Sequence, residues 1–276
     1  MNPGCTAGGA ALVRCDRQNI GVHLTTQDGE RIAVRHLDGP DRGRELGVVV
    51  AHGFTGSLAK PGFRAVTEAL SRHAGVVGFD FRGHGRSTGH STLGDKEVLD
   101  LEAAVGYARS LGYADVVTCG WSMGASIVLR HAALVGGVDA VVSVSAVSRW
   151  FYRDTAPMRR VHWAVETRVG RWIARRGFNT RISADGWPEV PESPVEVVGR
   201  IAPIPLLLVH GDSDHYFPVE HPEALYAAAG EPKELWLLEG FGHAESAATP
   251  ELLERIGRHL PDLVARGHAR RAVGGE

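Results

Sequence analysis

The sequence predicts an α/β fold: a mostly parallel, doubly wound sheet with an N-terminal antiparallel hairpin and an inserted helical segment. Three observations carry this. First, six continuous apolar, β-branched runs recur along the 276 residues: LGVVVAHG at 46–53, GVVGFDF at 75–81, DVVTCGW at 115–121, AVVSVSAV at 140–147, PLLLVHG at 205–211 and KELWLLE at 233–239. Runs without polar alternation suit strands covered on both faces. Second, helical stretches separate these runs with short links, the signature of βαβ units. Third, residues 148–200 hold no such run but contain four of the six tryptophans and many arginines.

The elements follow in order. IGVHL at 20–24 and RIAVRHL at 31–37 alternate apolar and polar around TTQDG, which reads as an antiparallel hairpin at a sheet edge. PGFRAVTEALSRH supplies a helix after the third strand. KEVLDLEAAVGYARSLG places Val98, Leu101, Val105 and Ala108 on one helical face and ends at Gly112. GASIVLRHAAL and ELLERIGRHLPDLVAR supply two more helices. The chain is expected to divide into a flexible N-terminal tail at 1–19, core at 20–147, a helical lid at 148–200, core again at 201–265 and a flexible tail at 266–276.

Composition narrows the function. With 43% hydrophobic and 22% charged residues the chain is an ordinary globular one, and a formal charge of −2 gives no global basic field for nucleic acid. Cys5, Cys15 and Cys119 form neither a disulfide framework nor a zinc pattern, and a reducing cytoplasm is the expected setting. No signal-peptide pattern or membrane anchor is read, and the fourteen histidines include no H-E-x-x-H pair, so no metal or cofactor is expected.

Two Gly-x-Ser-x-Gly matches compete: GRSTG at 85–89 and GWSMG at 120–124. A nucleophilic serine needs a strand running into it and a helix starting after it, so that a tight turn exposes Oγ. Ser122 has both, DVVTCGW before and GASIVLRHAAL after; Ser87 lies in a loop. Alone, Ser122 would read as a helix N-cap. It is not alone. HGDSDHYFP at 210–218 offers Asp212 and Asp214 after a strand, and His243 sits in a Gly-flanked loop after the last strand. The order Ser, Asp, His is that of this elbow.

From about residue 20 to 265 the chain resembles the α/β-hydrolase superfamily. HGF at 52–54 resembles its oxyanion-hole turn, FDFRGHGRS its D-x-R-G-x-G-x-S loop, GWSMG its nucleophile elbow and HGDSDHYFP its G-x-x-D-x-x-x-P acid loop. The resemblance implies a carboxylesterase or monoacylglycerol-lipase-like serine hydrolase acting on a small-molecule ester, with Ser122 as nucleophile, His243 as base and Asp214 as orienting acid. It implies that the backbone N–H groups of Phe54 and Met123 form the oxyanion hole, leaving Asp212 to a local turn bond. Serine rather than aspartate at the elbow separates the chain from haloalkane dehalogenases and epoxide hydrolases. A thioesterase, acyltransferase, C–C bond hydrolase, peptidase or non-catalytic receptor would share these residues. Trp121 and Phe54 either wall an acyl pocket or, for Trp121, pack in the core. The lid arginines Arg149, Arg153, Arg159, Arg160, Arg168, Arg171, Arg175 and Arg176 either bind a carboxylate or phosphate or form a solvated helix face, the favoured reading, with Arg168, Arg171 and Arg175 at helical spacing; His52, His84 and His210 read as structural props.

Overall fold

The computed structural model describes residues 22–40 and 44–273. The predicted N-terminal tail, Cys5 and Cys15 lie outside the described residues. Eight strands form one sheet: β1 (Val22–Thr25), β2 (Arg31–Leu37), β3 (Leu46–Ala51), β4 (Gly75–Phe79), β5 (Asp115–Trp121), β6 (Ala140–Val144), β7 (Leu206–Gly211) and β8 (Lys233–Leu238). Their order is β1-β2-β4-β3-β5-β6-β7-β8. β1 pairs antiparallel with β2 and β2 with β4; every later pairing is parallel. The fold class is the one the sequence predicts.

The helices are α1 (Pro61–Leu70), α2 (Glu97–Ser110), α3 (Met123–Leu134), α4 (Ala156–Glu166), α5 (Arg168–Phe178), α6 (Pro194–Val197) with a 3-10 turn at Val198–Ile201, α7 (Glu220–Ala228), α8 (Ala244–Ala247) and α9 (Pro250–Val273). The pleat sends alternate side chains to opposite faces. Val48 and Val50 join Phe63 and Val66 of α1 and Ile256 and Leu260 of α9 on one face. Val49 and Ala51 join Leu101 and Val105 of α2 and Ile127 and Val128 of α3 on the other. Both faces are therefore dry, which explains runs without alternation. Each buried Val or Leu contributes about 1.5–3 kcal/mol.

Three differences from the expected elements have physical causes. The predicted strands at 46–53, 75–81 and 140–147 end two or three residues early. His52, Phe81 and Ala146 are buried all the same, because the sheet's carboxyl edge is roofed by loops. α7 was not predicted: Pro222 interrupts its pattern, yet in the first helical turn a proline lacks no needed N–H. The flexible tail expected from residue 266 is instead the end of α9, which runs to Val273. Its last turns are held against the sheet, with Arg266 paired to Glu234 and His268 Nε2 2.8 Å from Asp115 Oδ1.

Residues 148–200 form a helical insertion between β6 and β7. Thr167 ends α4 and N-caps α5, its hydroxyl accepting the Gly170 N–H at 3.0 Å. The two helices pack so closely that a Cβ on Gly170 would stand 2.4 Å from Ala164 Cα. Trp150 and Trp187 anchor the insertion's edges, their indole N–H groups donating to Pro191 O and Thr92 O. Backbone bonds from Arg181 N to Gly83 O and from Ser91 N to Arg181 O tie its return to the loop after β4.

Candidate active site

β5 runs straight into Ser122, which takes φ 51° and ψ −113°. This left-handed turn is costly for a non-glycine residue and marks stored strain. Glycines make it possible: a Cβ on Gly120 would lie 2.2 Å from Gly124 O, and one on Gly124 2.4 Å from Ala51 O. Ser122 precedes α3 but does not cap it, for its side chain bonds no helix amide. Oγ lies instead 2.8 Å from His243 Nε2. That contact sets Ser122 apart from an ordinary N-cap.

His243 Nδ1 is 2.7 Å from Asp214 Oδ2. The Asp214 side chain is fully buried and the His243 side chain 14% exposed. Asp214 Oδ1 accepts the N–H groups of Tyr216 at 2.8 Å and Phe217 at 3.0 Å. Burial alone would push the Asp214 carboxyl up, but the His243 hydrogen bond and charge, with the Phe217 N–H, bring it below its ordinary value. The Tyr216 ring lies against the His243 ring, tilted by 30°, at 4.3 Å between centroids. β7 and β8 thus deliver the acid and the histidine from neighbouring strand ends. Asp212 differs from expectation. Its Oδ1 accepts the Gly240 N–H at 2.8 Å, a tie across the two strand ends rather than a local turn bond.

After β3, the HGF turn faces the elbow. His52 is fully buried, its Nδ1–H donates to Gly53 O at 2.7 Å, and its Nε2 accepts the Phe81 N–H at 3.1 Å. Burial holds this ring neutral, its pKa down at about 4. Gly53 O also accepts the Gly56 N–H at 2.9 Å. The Phe54 N–H, antiparallel to that carbonyl across a trans peptide, has no partner among the described residues. The Met123 N–H is the first of α3, where no helical carbonyl is available.

Ser87 is buried 2% exposed in the loop after β4. Its Oγ donates to Asp80 O at 2.5 Å and accepts the Ala33 N–H at 2.9 Å. The same loop fixes Arg82 between Asp28 and Asp100, so the motif is structural. Ser87→Ala should lower unfolding free energy by about 1–3 kcal/mol, because it strands the buried Ala33 N–H; urea unfolding measures this. Trp121 corrects another expectation. It is fully buried and packs with Val117 and Cys119 on the α1–α9 face. Strand alternation turns it into the core, so it does not line the cavity. His84 and His210 are buried, bonded to Arg82 O at 3.0 Å and Phe217 O at 2.7 Å.

A cavity of about 1010 Å³ opens over Ser122. Phe54, Met123, Tyr216 and Phe217 line its floor; Phe151, Val161, Val165, Ile173 and Trp187 of the insertion line its roof. Arg168 and Arg175 are exposed, as expected of a solvated face, but Arg149 and Arg160 reach the cavity. Sequence reasoning also passed over Tyr216 and Glu245 in the cavity wall; their proximity to Asp214 and His243 in the chain was the available signal. Asp115, Asp139 and His268 bring ligand atoms within 4.8 Å of one another at the opposite ends of the strands. There Arg109 pairs with Asp139 at 2.6 Å, supplying the positive charge a cation would bring. Among the described residues no helix is long and apolar enough to cross a membrane.

A serine, a histidine and a buried aspartate in one hydrogen-bonded line at the carboxyl edge of a parallel sheet is the arrangement of nucleophile, base and orienting acid. Comparison with known proteins agrees with the architecture. The family described as alpha/beta hydrolase fold matches residues 48–183, and the chain has the α/β-hydrolase fold. It is 27% identical over 237 residues to the uncharacterized protein YfhR of Escherichia coli K12, covering 82% of this chain and 73% of that one. It is 28% identical over 264 residues to the uncharacterized protein Rv2307c of Mycobacterium tuberculosis H37Rv, covering 92% and 81%. Among solved structures it is similar to the Pyrococcus furiosus esterase Pf2001, with TM-score 0.69, 24% identity and coverage of 95% and 97%. Est1E of Butyrivibrio proteoclasticus, with ferulic acid bound, gives TM-score 0.63, 22% identity and coverage of 88% and 99%.

Proposed function

We propose that this protein is a serine hydrolase of carboxylic esters with an apolar acyl group. The observation that carries the reading is the Ser122 Oγ to His243 Nε2 contact of 2.8 Å, continued by Nδ1 to Asp214 Oδ2 at 2.7 Å. Ser122 Oγ attacks the ester carbonyl carbon as its proton passes to His243 Nε2. Asp214 stabilises the imidazolium and fixes its tautomer. The amides of Phe54 and Met123 meet the oxyanion. Collapse expels the alcohol, which takes the proton from His243 and leaves an acyl-enzyme. Water, deprotonated by the same histidine, then releases the acid and regenerates Ser122.

The insertion at 148–200 acts as the lid in this reading, and its apolar roof selects apolar acyl chains. The likeness to the Pyrococcus furiosus esterase Pf2001 supports the ester class. A cytoplasmic setting suits Cys119, a free buried thiol pushed up to about 12 by burial and so inert.

A fluorophosphonate probe, with the adduct mapped by peptide mass spectrometry, tests this. Label is expected on Ser122, retained in Ser87→Ala and lost in His243→Ala. Turnover of p-nitrophenyl esters should rise from acetate to octanoate. A folded protein with neither label nor turnover would sink the reading and favour a non-catalytic receptor on the same fold.

A further inference from the structure

Glu245 lies two residues beyond His243 and has no part in the hydrogen-bonded line. Its Oε1 accepts the Gly53 N–H at 2.6 Å, joining segments 192 residues apart. A Cβ built on Gly53 would stand 3.1 Å and 3.2 Å from the two Glu245 carboxyl oxygens and 3.2 Å from Ser122 Cβ. The carboxyl, the turn and the nucleophile therefore meet at one point, in the wall of the cavity.

Local structure brings the side chain there. Ala244 takes the left-handed φ of 49°, and its N–H donates to Ser145 Oγ at 3.1 Å. Ser246 Oγ donates back to His243 O at 2.7 Å. The chain reverses directly after His243, and the single turn of α8 swings Glu245 under the HGF turn. Burial raises the Glu245 carboxyl above its ordinary value, while the Gly53 N–H and its own N–H draw it back down. His243 is the ionisable group that it faces. A half-buried acid with no lysine or arginine partner among the described residues is a poor stabilising device and points to a role in the site.

Gly53 is the freest residue in the turn, since without a Cβ it turns readily in φ and ψ. The peptide on its C-terminal side is held by His52 Nδ1–H and the Gly56 N–H, both on Gly53 O. The peptide on its N-terminal side is held by Glu245 alone among the described side chains. Fixing both planes fixes the direction of the Phe54 N–H.

We propose that Glu245 is a positioning residue that clamps the oxyanion turn, so that the loop carrying the base also sets the oxyanion donor. This rests on the ester-hydrolase reading above. The clamp requires a side-chain oxygen acceptor of this length and does not require the negative charge.

Three variants decide it, read by steady-state turnover of a p-nitrophenyl ester and by amide hydrogen exchange of the segment 52–56. Glu245→Met fills the space without an acceptor. Glu245→Asp falls short of the amide. Both should lower kcat by about 10–100-fold with KM changed by no more than about twofold, because the donor is misaligned only against the transition state. Both should speed exchange at Gly53 about tenfold or more. Glu245→Gln keeps the acceptor and should restore kcat to within about fivefold and exchange to the wild-type rate. Unchanged exchange in the Met and Asp variants overturns the clamp. Faster exchange with unchanged kcat overturns its role in turnover, and failure of Gln to rescue overturns the acceptor mechanism. If wild type turns over no ester, the function reading fails, and exchange at Gly53 still decides the clamp.

Discussion

Ser122→Ala should reduce ester turnover by about 10⁴-fold or more, with the fold intact. A triad acts as a unit, and loss of its nucleophile removes the covalent route altogether, leaving only binding and the oxyanion donors. Asp214→Asn should cost nearly as much, about 10⁴-fold, for a different reason. An amide in place of Oδ2 presents an N–H to His243 Nδ1, now 2.7 Å from a carboxylate oxygen, and the imidazole flips to the tautomer that cannot accept from Ser122. Its other oxygen would still take the Tyr216 and Phe217 amides, so the acid loop should stay folded. The checks are burst and steady-state kinetics with a p-nitrophenyl ester, beside circular dichroism of each variant. Turnover within tenfold of wild type in Ser122→Ala would place the chemistry elsewhere. The same kinetics on Ser87→Ala should match wild type, since that hydroxyl is spent on Asp80 and Ala33.

Acidification should remove roughly 3 kcal/mol of stability through His52 alone. An unfolded histidine titrates near 6.5, whereas burial holds the folded ring at about 4. Above pH 6.5 both states are neutral and the ring contributes its two hydrogen bonds in full. As the pH falls from 6.5 to 4 the unfolded state takes up a proton that the folded state refuses, at about 1.4 kcal/mol per pH unit. Below about pH 4 both states are protonated and the loss levels off. Charging the ring in place is penalised, because protonated Nε2 loses the lone pair that accepts the Phe81 N–H and His84 stands 5.1 Å away, centroid to centroid. Other groups titrate over the same range, so the measurement is a difference: urea unfolding of wild type and His52→Gln at pH 7.5 and pH 4. The gap between them should narrow by roughly 3 kcal/mol on acidification. A gap that stays constant would mean that His52 is protonated in the native state. His84, held at about 3 chiefly by burial, should behave in the same sense.

Much of the architecture was legible because burial writes itself into local pattern. The β5 run DVVTCGW matched its strand end to end, since a strand dry on both faces admits no polar alternation. The elbow was legible for a similar reason: only small residues fit at positions 120 and 124, and they sit at fixed spacing from Ser122. The C-terminal turns of α9 were missed because polar, charged residues there are held by partners far away in sequence, Glu234 and Asp115. α7 was missed because its proline is harmless only at the position it occupies.

The sequence by itself determined the sheet, the place of each strand to within two or three residues and the residue types at the strand ends, because these follow from hydrophobic period and turn sterics within a few residues of each site. Tertiary structure decided what local pattern does not encode. It chose Ser122 as the partner of His243 instead of the cap of α3, and turned Trp121 into the core by the alternation of β5. It set Asp212 across two strand ends, and it carried Glu245 beneath a glycine 192 residues away. Each of these depends on where distant segments meet once the sheet has been assembled, and the distance between two side chains from separate strands is a property of the packed chain, not of either stretch of sequence.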